Sequence, residues 1–341
     1  MRKIYWTIDI ECHDINKRNL YIDGNLKNGK NCGMEHILQL ANKYNIPINC
    51  FLDIPEALVY GDDYIKGIID LIHKYNQKVY LHLHPDYITG DHERSFLWQY
   101  NYEEKKGILE KGFALYRKFL NKDTYAFRIG RYGADSDMYK AMKELGIRVV
   151  DLSYCYNKPR MCHIDYDEIG VKNKTGEYQN QIIRPNIRYC GFSLGKKKMS
   201  LGLDFNDTTT NEFRRIIDQT KLDTLVITMH SWNFIKKYFF LDNYISRSWS
   251  QERRFVKMVK YAKKHGFEFA DLETTPPAPS STNDEYLNLC DSLVGKIMMI
   301  PNNFFRFYRI AALDRKYFLI YSLFFAICFI AMIVIALMIV L

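Results

Sequence analysis

Strand-like and helix-like segments alternate from residue 3 to residue 272 of this 341-residue chain, and no other feature restricts its fold as strongly. Residues 3–10 show the two-residue period of a strand, with isoleucine and tryptophan alternating with Tyr5, Thr7 and Asp9. Further strands are predicted at 46–53, 78–84, 125–128, 147–152, 223–229 and 267–272, and helices at 32–44, 62–75, 103–120, 136–145, 208–220 and 251–265. Such repeats predict an α/β fold with a parallel sheet, closed or open. About seven β–α units favour a barrel with its functional residues at the C-terminal ends of the strands.

Composition narrows the classes of function. The chain is 48% hydrophobic and 26% charged, which is an ordinary globular balance. Its net charge of +9 is spread along the sequence without an arginine-rich arm, so we expect no nucleic-acid partner. The eight cysteines are scattered and form no C-x-x-C pair, a usage that suits reduced thiols in the cytosol better than disulfides or a zinc ribbon.

The C-terminus predicts a membrane anchor. Residues 317–341 contain no charge over 25 positions, which is long enough to cross a bilayer. Four basic residues precede this stretch, and basic residues favour the cytoplasmic side: Arg306, Arg309, Arg315 and Lys316. The first strand follows the first residues directly and no apolar h-region is present there, so we expect no signal peptide. We therefore expect a single-pass C-terminal anchor that leaves residues 1 to about 315 in the cytoplasm.

Two carboxylates stand at the end of the first predicted strand. Asp9 and Glu11 are two residues apart, so their side chains share a face. Buried carboxylates must bind a cation, share a proton or take part in acid–base chemistry. The alternative is a solvated loop that happens to be acidic.

Two histidines occupy the end of another strand. His82 and His84 can face one centre, and Asp86 follows them. Neutral imidazoles together with a carboxylate suit Zn²⁺ or a similar divalent ion. This pattern makes a metal site about as well supported as a structural role for the two histidines.

Two more strand ends carry polar residues. Arg128 ends a short apolar strand and leads into a turn with Gly130 and Gly133. An arginine there can orient a carboxylate, and glycines let backbone N–H groups approach a substrate oxygen, although a plain solvated turn is also compatible. His230 ends the most apolar strand in the chain, where a histidine suits general acid catalysis.

Together these motifs resemble the NodB-homology polysaccharide deacetylases, the family-four carbohydrate esterases. The resemblance covers about residues 3–272, and its most specific parts are Phe-Arg-Ile-Gly-Arg-Tyr-Gly at 127–133 and Met-His-Ser at 229–231. It implies a distorted, TIM-like (β/α)₇ barrel that removes acetyl groups from sugars. It also implies four catalytic roles, namely base, orienting arginine, backbone oxyanion donor and general acid, for Asp9, Arg128, Tyr132 and His230 respectively.

The resemblance further implies a metal held by Glu11 and His82, and this sequence departs from the family pattern at both motifs. The family has adjacent aspartates, whereas here the second carboxylate is Glu11, displaced by one residue. The family places its second histidine four residues after the first, where this chain has Asp86. The third ligand is therefore open among His84, Asp86 and His92, and we place His84 first because it shares a face with His82.

The sequence thus predicts four parts and one principal activity. The parts are a deacetylase-like catalytic domain at 1–273, a Pro/Ser/Thr linker at 274–283, an amphipathic juxtamembrane segment at 284–316 and a transmembrane helix at 317–341. The expected activity is metal-dependent deacetylation, most simply N-deacetylation, of an acetylated glycan or lipid-linked sugar in a lipopolysaccharide, capsule or other surface-glycan precursor. The alternatives are a glycoside hydrolase using Asp9 and Glu11, and a non-catalytic membrane-anchored glycan-binding protein.

Overall fold

A computed structural model describes residues 2–194, 197–237 and 244–292, together with 295–297, 299, 302 and 323. Its strands are β1 Arg2–Ile10, β2 Asn49–Asp53, β3 Lys78–Leu83, β4 Ala126–Ile129, β5 Val150–Asp151, β6 Gly176–Tyr178, β7 Gln181–Ile183, β8 Arg188–Leu194, β9 Lys197–Gly202, β10 Thr224–His230, β11 Ile235–Lys237, β12 Ile245–Arg247, β13 Phe267–Phe269 and β14 Leu287–Asn288. Its helices are α1 Met34–Lys43, α2 Ala57–Tyr60, α3 Asp62–Lys74, α4 Pro85–Thr89, α5 Tyr102–Leu120, α6 Ser136–Glu144, α7 Tyr166–Ile169, α8 Thr210–Gln219 and α9 Trp249–Lys264.

One nine-stranded sheet organises the molecule. Its order is β10-β1-β2-β3-β4-β5-β7-β6, and β13 pairs with the start of β1. Every pairing in it is parallel except that of β6 with β7. The predicted α/β class is confirmed, and the sheet curls into a half-barrel.

The described strands do not close into the full (β/α)₇ ring implied by the resemblance. Between β7 and β10 the chain makes the β8–β9 hairpin, which forms a separate sheet with β14. Buried side chains bridge the gap instead: Nη2 of Arg184 donates to the Thr224 carbonyl at 2.6 Å, and Oγ1 of Thr228 donates to Oδ1 of Asn186 at 3.2 Å. An isolated bridge between Asp204 and Thr228 also covers this edge of β10.

The sheet separates two hydrophobic cores. The larger core lies between the sheet and its helices, and buries the Trp6 ring against Phe205 and Phe255. The smaller core fills the concave side with residues such as Tyr5 and Phe51. Because parallel strands with both faces covered are apolar along their length, polar side chains gather where the strands end.

Strand register brings these polar ends into neighbouring positions. Asp9 is paired with His230 across β1 and β10. His82 is paired on one side with Asp53 of β2 and on the other with Arg128 of β4. Residues separated by more than two hundred positions in the sequence therefore meet at one edge of the sheet.

The segment after β13 packs against the domain. Ser280 donates from its hydroxyl to Oδ2 of Asp223 at 2.7 Å, inside the stretch expected to be a linker. The beginning of the segment expected to be amphipathic contributes β14, which pairs with β8. No helix of the described residues is long and apolar enough to cross a membrane. The predicted span at 317–341 lies outside those residues, apart from Leu323.

Candidate active site

Glu11 lies at the centre of the polar edge and is contacted by histidines from three strand ends. Its Oε2 atom is 2.7 Å from Nε2 of His84 and 3.5 Å from Nε2 of His82. Its Oε1 atom is 3.5 Å from Nε2 of His13 and 3.8 Å from Nε2 of His230. Glu11, His82 and His84 are all buried. Such a carboxylate surrounded by imidazoles is suited to a divalent cation.

The donor atoms of Glu11, His82 and His84 fit a metal ion. One ligand atom from each lies within 4.8 Å of the other two. Nδ1 of His82 is 3.0 Å from the Arg128 carbonyl, and because a carbonyl only accepts, Nδ1 holds the proton and Nε2 offers a lone pair. Oε2 of Glu11 is buried and faces the Nε2 atoms of these two imidazoles. This donor set matches Zn²⁺ or a similar ion with open positions for water and substrate.

The electrostatics of the group favour an ionised Glu11 and a neutral His84. Burial by itself raises the pKa of Glu11, but the charge of His84 and hydrogen bonds from the surrounding imidazoles hold this pKa well below its usual value. Burial lowers the pKa of His84, although Glu11 opposes that effect. A carboxylate and neutral imidazoles are the protonation states that metal binding requires.

Asp9 is held by a buried arginine. Nη1 of Arg128 donates to Oδ1 of Asp9, and Nη2 donates to Oγ1 of Thr7 at 2.9 Å. The guanidinium also lies over the ring of Phe51, 4.5 Å from its centroid. With one carboxylate oxygen fixed by the arginine, the Asp9 carboxylate keeps a defined orientation next to Glu11.

His230 faces the same centre from β10. Its backbone N–H donates to Oδ1 of Asn233 at 2.8 Å, and its ring stacks on Trp232 with a centroid distance of 4.6 Å. Its Nδ1 atom is buried without a hydrogen-bond partner in the part of the chain that the structure describes. Its Nε2 atom is nearest Oε1 of Glu11, whereas His82 and His84 contact Oε2.

The turn after β4 packs directly on His84. A Cβ at Gly130 would lie 2.6 Å from Cδ2 of His84, so a glycine is required there. Arg131 and Tyr132 both adopt left-handed backbone conformations, with φ of 56° and 57°. The Tyr132 ring packs against the larger core, and Nζ of Lys158 lies 4.4 Å from its centroid.

The two other ligand candidates take different places. Asp86 is buried beside His84, with Oδ1 3.8 Å from Nδ1 of that ring, so it can orient His84 from behind. His92 is 71% exposed and lies 3.5 Å from Oδ2 of Asp86. Neither belongs to the group of ligand atoms gathered around Glu11.

The structure adds acidic residues that the sequence interpretation missed. Asp53 is fully buried and accepts the backbone N–H of His84 at 3.3 Å. Burial, followed by the charges of Glu56 and Glu11, raises its pKa well above the usual value. Burial also raises the pKa of Glu56 to about 7. Asp53 is a carboxylate at the end of a predicted strand, which is the same feature that marked Asp9, so the sequence could have identified it. No local sequence pattern distinguishes Glu56.

Two further groups near the centre were also missed. His13 follows Glu11 by two residues, the same spacing that links Asp9 to Glu11, and its hydrogen bond with Glu11 raises its pKa. Asp204 lies close enough to His230 for their charges to interact: burial raises the pKa of Asp204, and His230 opposes that rise. Asp204 comes from the irregular region before α8, where no periodic pattern marks it.

A cleft opens beside the centre. Its volume is about 500 Å³, and it is lined by His13, Tyr60, Asp86, Tyr87, His92 and Arg131. His13 lines the cleft and also contacts Glu11, so this imidazole lies between the cleft and the metal-type ligands. Tyrosines with an apolar ring and a polar hydroxyl are suited to contact a sugar ring.

Comparisons with known proteins return structures only. No family model matches the sequence, and no curated protein matches it. Among solved structures, a putative polysaccharide deacetylase from Mycobacterium smegmatis is 11% identical with a TM-score of 0.45, covering 82% of this chain and 94% of that one. A family 4 carbohydrate esterase from Streptomyces lividans in complex with acetate is 9% identical with a TM-score of 0.42, covering 83% and 98%. A pseudoenzyme of the same family from Bacillus anthracis is 12% identical with a TM-score of 0.43, covering 84% and 69%. At this level of similarity, the function of the chain has to be argued from its own residues.

Proposed function

We propose that this protein is a metal-dependent carbohydrate deacetylase, acting most simply on an N-acetyl group. The observation that carries the proposal is the arrangement around Glu11. Two buried histidines at the end of β3, His82 and His84, contact Glu11, and the Arg128-bound Asp9 lies two residues before Glu11 at the end of β1. His230 approaches from β10. This arrangement supplies a cation site, a fixed carboxylate and a separate imidazole, which are the groups that hydrolysis of an acetyl amide uses.

The proposed roles follow from these positions. Glu11, His82 and His84 would hold a divalent ion, for which Zn²⁺ is the first choice given the donor set. When bound, such an ion supplies Lewis-acid chemistry, polarising a carbonyl and lowering the pKa of water. Asp9 would take the proton of the attacking water, because Arg128 holds its carboxylate in a fixed orientation.

The last proton transfer is proposed for His230. Its Nε2 atom is nearest Oε1 of Glu11, where it would protonate the leaving amine. The turn that contains Tyr132 lies against His84, and the Tyr132 backbone N–H is the proposed donor to the oxyanion. Asp86 would keep the ring of His84 in place from behind.

The geometry gives less support to the glycoside hydrolase alternative. A glycosidase needs two carboxylates on either side of the scissile bond, one of them able to carry a proton. Here Asp9 is engaged by Arg128, and the pKa of Glu11 lies well below its usual value among the imidazoles. Neither carboxylate is placed as a general acid.

The location and the substrate belong to the same proposal. The uncharged C-terminal stretch and the basic residues before it support a membrane anchor with the catalytic domain in the cytoplasm. An enzyme so placed would meet lipid-linked sugars or other acetylated precursors before export. We therefore propose a precursor of lipopolysaccharide, capsule or another surface glycan as the substrate.

Acetate release tests the proposal. Purified full-length chain, loaded with Zn²⁺, would be incubated with a panel of N-acetylated and O-acetylated sugars, and acetate and reducing ends would be quantified in parallel. Deacetylation predicts acetate without new reducing ends, and loss of that activity in Asp9→Asn. New reducing ends would favour the glycosidase, and neither product from any sugar would favour the binding protein.

A further inference from the structure

Arg131 lines the cleft, and one terminal nitrogen of its guanidinium has no hydrogen-bond partner in the described part of the chain. That atom, Nη1, is buried. Its charge lowers the pKa of His13 and of His84, which places it near the Glu11 centre. A buried donor of a charged group that lacks a partner is costly, so a protein keeps one where a ligand can supply the acceptor.

Arg131 is half-buried, and two fully buried arginines show what a structural role looks like in this chain. Arg128 directs both terminal nitrogens to protein oxygens, on Asp9 and Thr7. Arg184 also does so, with Nη1 on the Asn173 carbonyl and Nη2 on that of Thr224. In both cases the terminal nitrogens are satisfied within the fold. Arg131 differs because it has an unsatisfied terminal nitrogen and borders open space.

The carboxylate that lines the same cleft is directed elsewhere. Asp86 places Oδ1 3.8 Å from His84 and Oδ2 3.5 Å from His92. It therefore lies between two imidazoles, and no ion pair joins it to Arg131 in the described part of the chain. The remaining polar lining groups are the hydroxyls of Tyr60 and Tyr87 and the imidazole of His13, none of which supplies a second carboxylate for Arg131.

The backbone at Arg131 supports a role in binding. Its φ of 56° is in the left-handed region, which asparagine and glycine tolerate better than arginine. A turn that served only to reverse the chain would favour one of those residues. A strained conformation held next to a reactive centre is typical of a ligand-binding position.

We propose that Arg131 binds an anionic group of the substrate, a carboxylate or a phosphate ester on the acetylated sugar. The guanidinium fork matches both groups through paired N–H donors, which a lysine ammonium does not reproduce. This inference rests on the deacetylase function proposed above and narrows its substrate class to acidic sugars. Arg131 is then a specificity-determining residue, and the chemistry remains with Asp9, His230 and the metal-type ligands.

Equilibrium binding of three N-acetylated probes tests the inference. Full-length protein, with and without Zn²⁺, would be titrated calorimetrically with methyl N-acetylglucosaminide, N-acetylglucosamine 1-phosphate and N-acetylglucosaminuronic acid at one ionic strength. Arg131→Asn removes the charge with a residue that accepts the left-handed backbone. Arg131→Lys keeps the charge without the fork. The matched control is Arg148→Asn, an exposed arginine just before β5.

The expected result is at least tenfold tighter binding of one anionic probe than of the neutral one. Arg131→Asn should remove that preference, Arg131→Lys should reduce it, and Arg148→Asn should keep it. The probe that is preferred distinguishes carboxylate from phosphate. Equal or undetectable binding of all three probes by the unmodified protein would overturn the inference, as would an equal loss for charged and neutral probes in Arg131→Asn.

Acetate release from the same probes separates this inference from the proposed function. An Arg131-dependent preference for an acidic probe, with no acetate released from any sugar, would reject deacetylation and support anion recognition. Acetate release with equal kcat/KM for all three probes, unchanged in Arg131→Asn, would support deacetylation and reject the role of Arg131.

Discussion

Oε2 of Glu11 lies 2.7 Å from Nε2 of His84, and both side chains are buried where β1 and β3 end. This contact joins two residues whose positions differ from the pattern of the family that the sequence resembles. Glu11 is one residue beyond the usual second carboxylate, and His84 comes two residues after His82 instead of four. Both departures bring the side chains to the same point, because alternate residues of a strand share a face.

The first prediction is that His84 is a metal ligand. His84→Ala should lower the bound Zn²⁺ from one equivalent to a small fraction, because the imidazole supplies one of three donors. Metal content after dialysis, measured by mass spectrometry, is the readout. His92 is an exposed histidine beside Asp86, and His92→Ala should keep its metal. Full occupancy in His84→Ala would remove this residue from the site. Occupancy of the unmodified protein should also fall below about pH 6, since the ligand imidazoles must be neutral.

The second prediction concerns the contact between Gly130 and His84. Gly130→Ala would place a Cβ 2.6 Å from Cδ2 of the imidazole, so the ring or the turn must move. Metal affinity should fall by about 10- to 100-fold, as expected when the support of a ligand is lost. Gly107→Ala is the control. Gly107 lies at an exposed position of α5, and a Cβ there would meet nothing within 4 Å. That change should leave metal affinity unchanged and stabilise the protein by about 1 kcal/mol. Equal affinities in the two variants would contradict the prediction.

The third prediction separates the base from the acid. Asp9→Asn and His230→Ala should each lower kcat for acetate release by about 10² or more, which is typical of positioned proton-transfer groups. Metal content should remain at the level of the unmodified protein, because neither residue is among the three grouped ligands. Asp123→Asn, at a side chain that is 74% exposed, should have normal activity. Unchanged kcat in both site variants would reject the proposed mechanism.

The fourth prediction is a pH dependence of stability from Asp151. Burial raises its pKa from 3.8 to about 6, so the folded state holds the proton more tightly than the unfolded chain. The resulting stabilisation is fully present below pH 3.8 and is lost as the pH rises through 6. A pKa rise of this size corresponds to about 3 kcal/mol.

Asp151→Asn isolates this effect because asparagine does not titrate. Urea unfolding between pH 3.5 and 7 should show that the free energy of unfolding of the unmodified protein, relative to the variant, falls by up to about 3 kcal/mol over this range. Asp123→Asn, at an exposed side chain, is the control for replacing a carboxylate with an amide. A difference that stays constant with pH would show that the Asp151 carboxyl has an ordinary pKa in the fold.

The fifth prediction concerns membrane topology. Ser281 is exposed, whereas the neighbouring Ser280 is tied to Asp223, so Ser281→Cys is the better position for a labelling site. A membrane-impermeant maleimide should label this cysteine only after cell lysis, because the proposed anchor leaves the domain in the cytoplasm. The parent chain controls for reaction of its own cysteines, seven of which are buried. Labelling in intact cells would place the domain outside and change the substrate to an exported polymer.

The positions of the strands and of several site residues could be predicted from the sequence. Two-residue and 3.6-residue periods mark strands and helices locally, and they located β1, β3, β10 and α5 to within a few residues. The C-terminal ends of parallel strands lie at one edge, so strand order along the chain is enough to predict that Asp9, His82, Arg128 and His230 lie near one another. His84 could be ranked above Asp86 because it alternates with His82.

Only the tertiary structure decided whether the sheet closes and which charges have partners, because the hydrophobic periodicity of single segments does not encode either. The sheet stays open because the β8–β9 hairpin belongs to a separate sheet. Side-chain hydrogen bonds of Arg184 and Asn186 connect to β10 where a further strand would have closed the ring. Whether both terminal nitrogens of an arginine find protein acceptors, as those of Arg128 do, or one is left unpaired beside a cleft, as in Arg131, depends on which distant atoms surround it. Periodicity follows from the backbone of one segment, whereas burial and pairing of a charge depend on the packing of several segments. The sequence alone therefore determined the strand ends that carry the site residues, and the fold decided which charges have partners there.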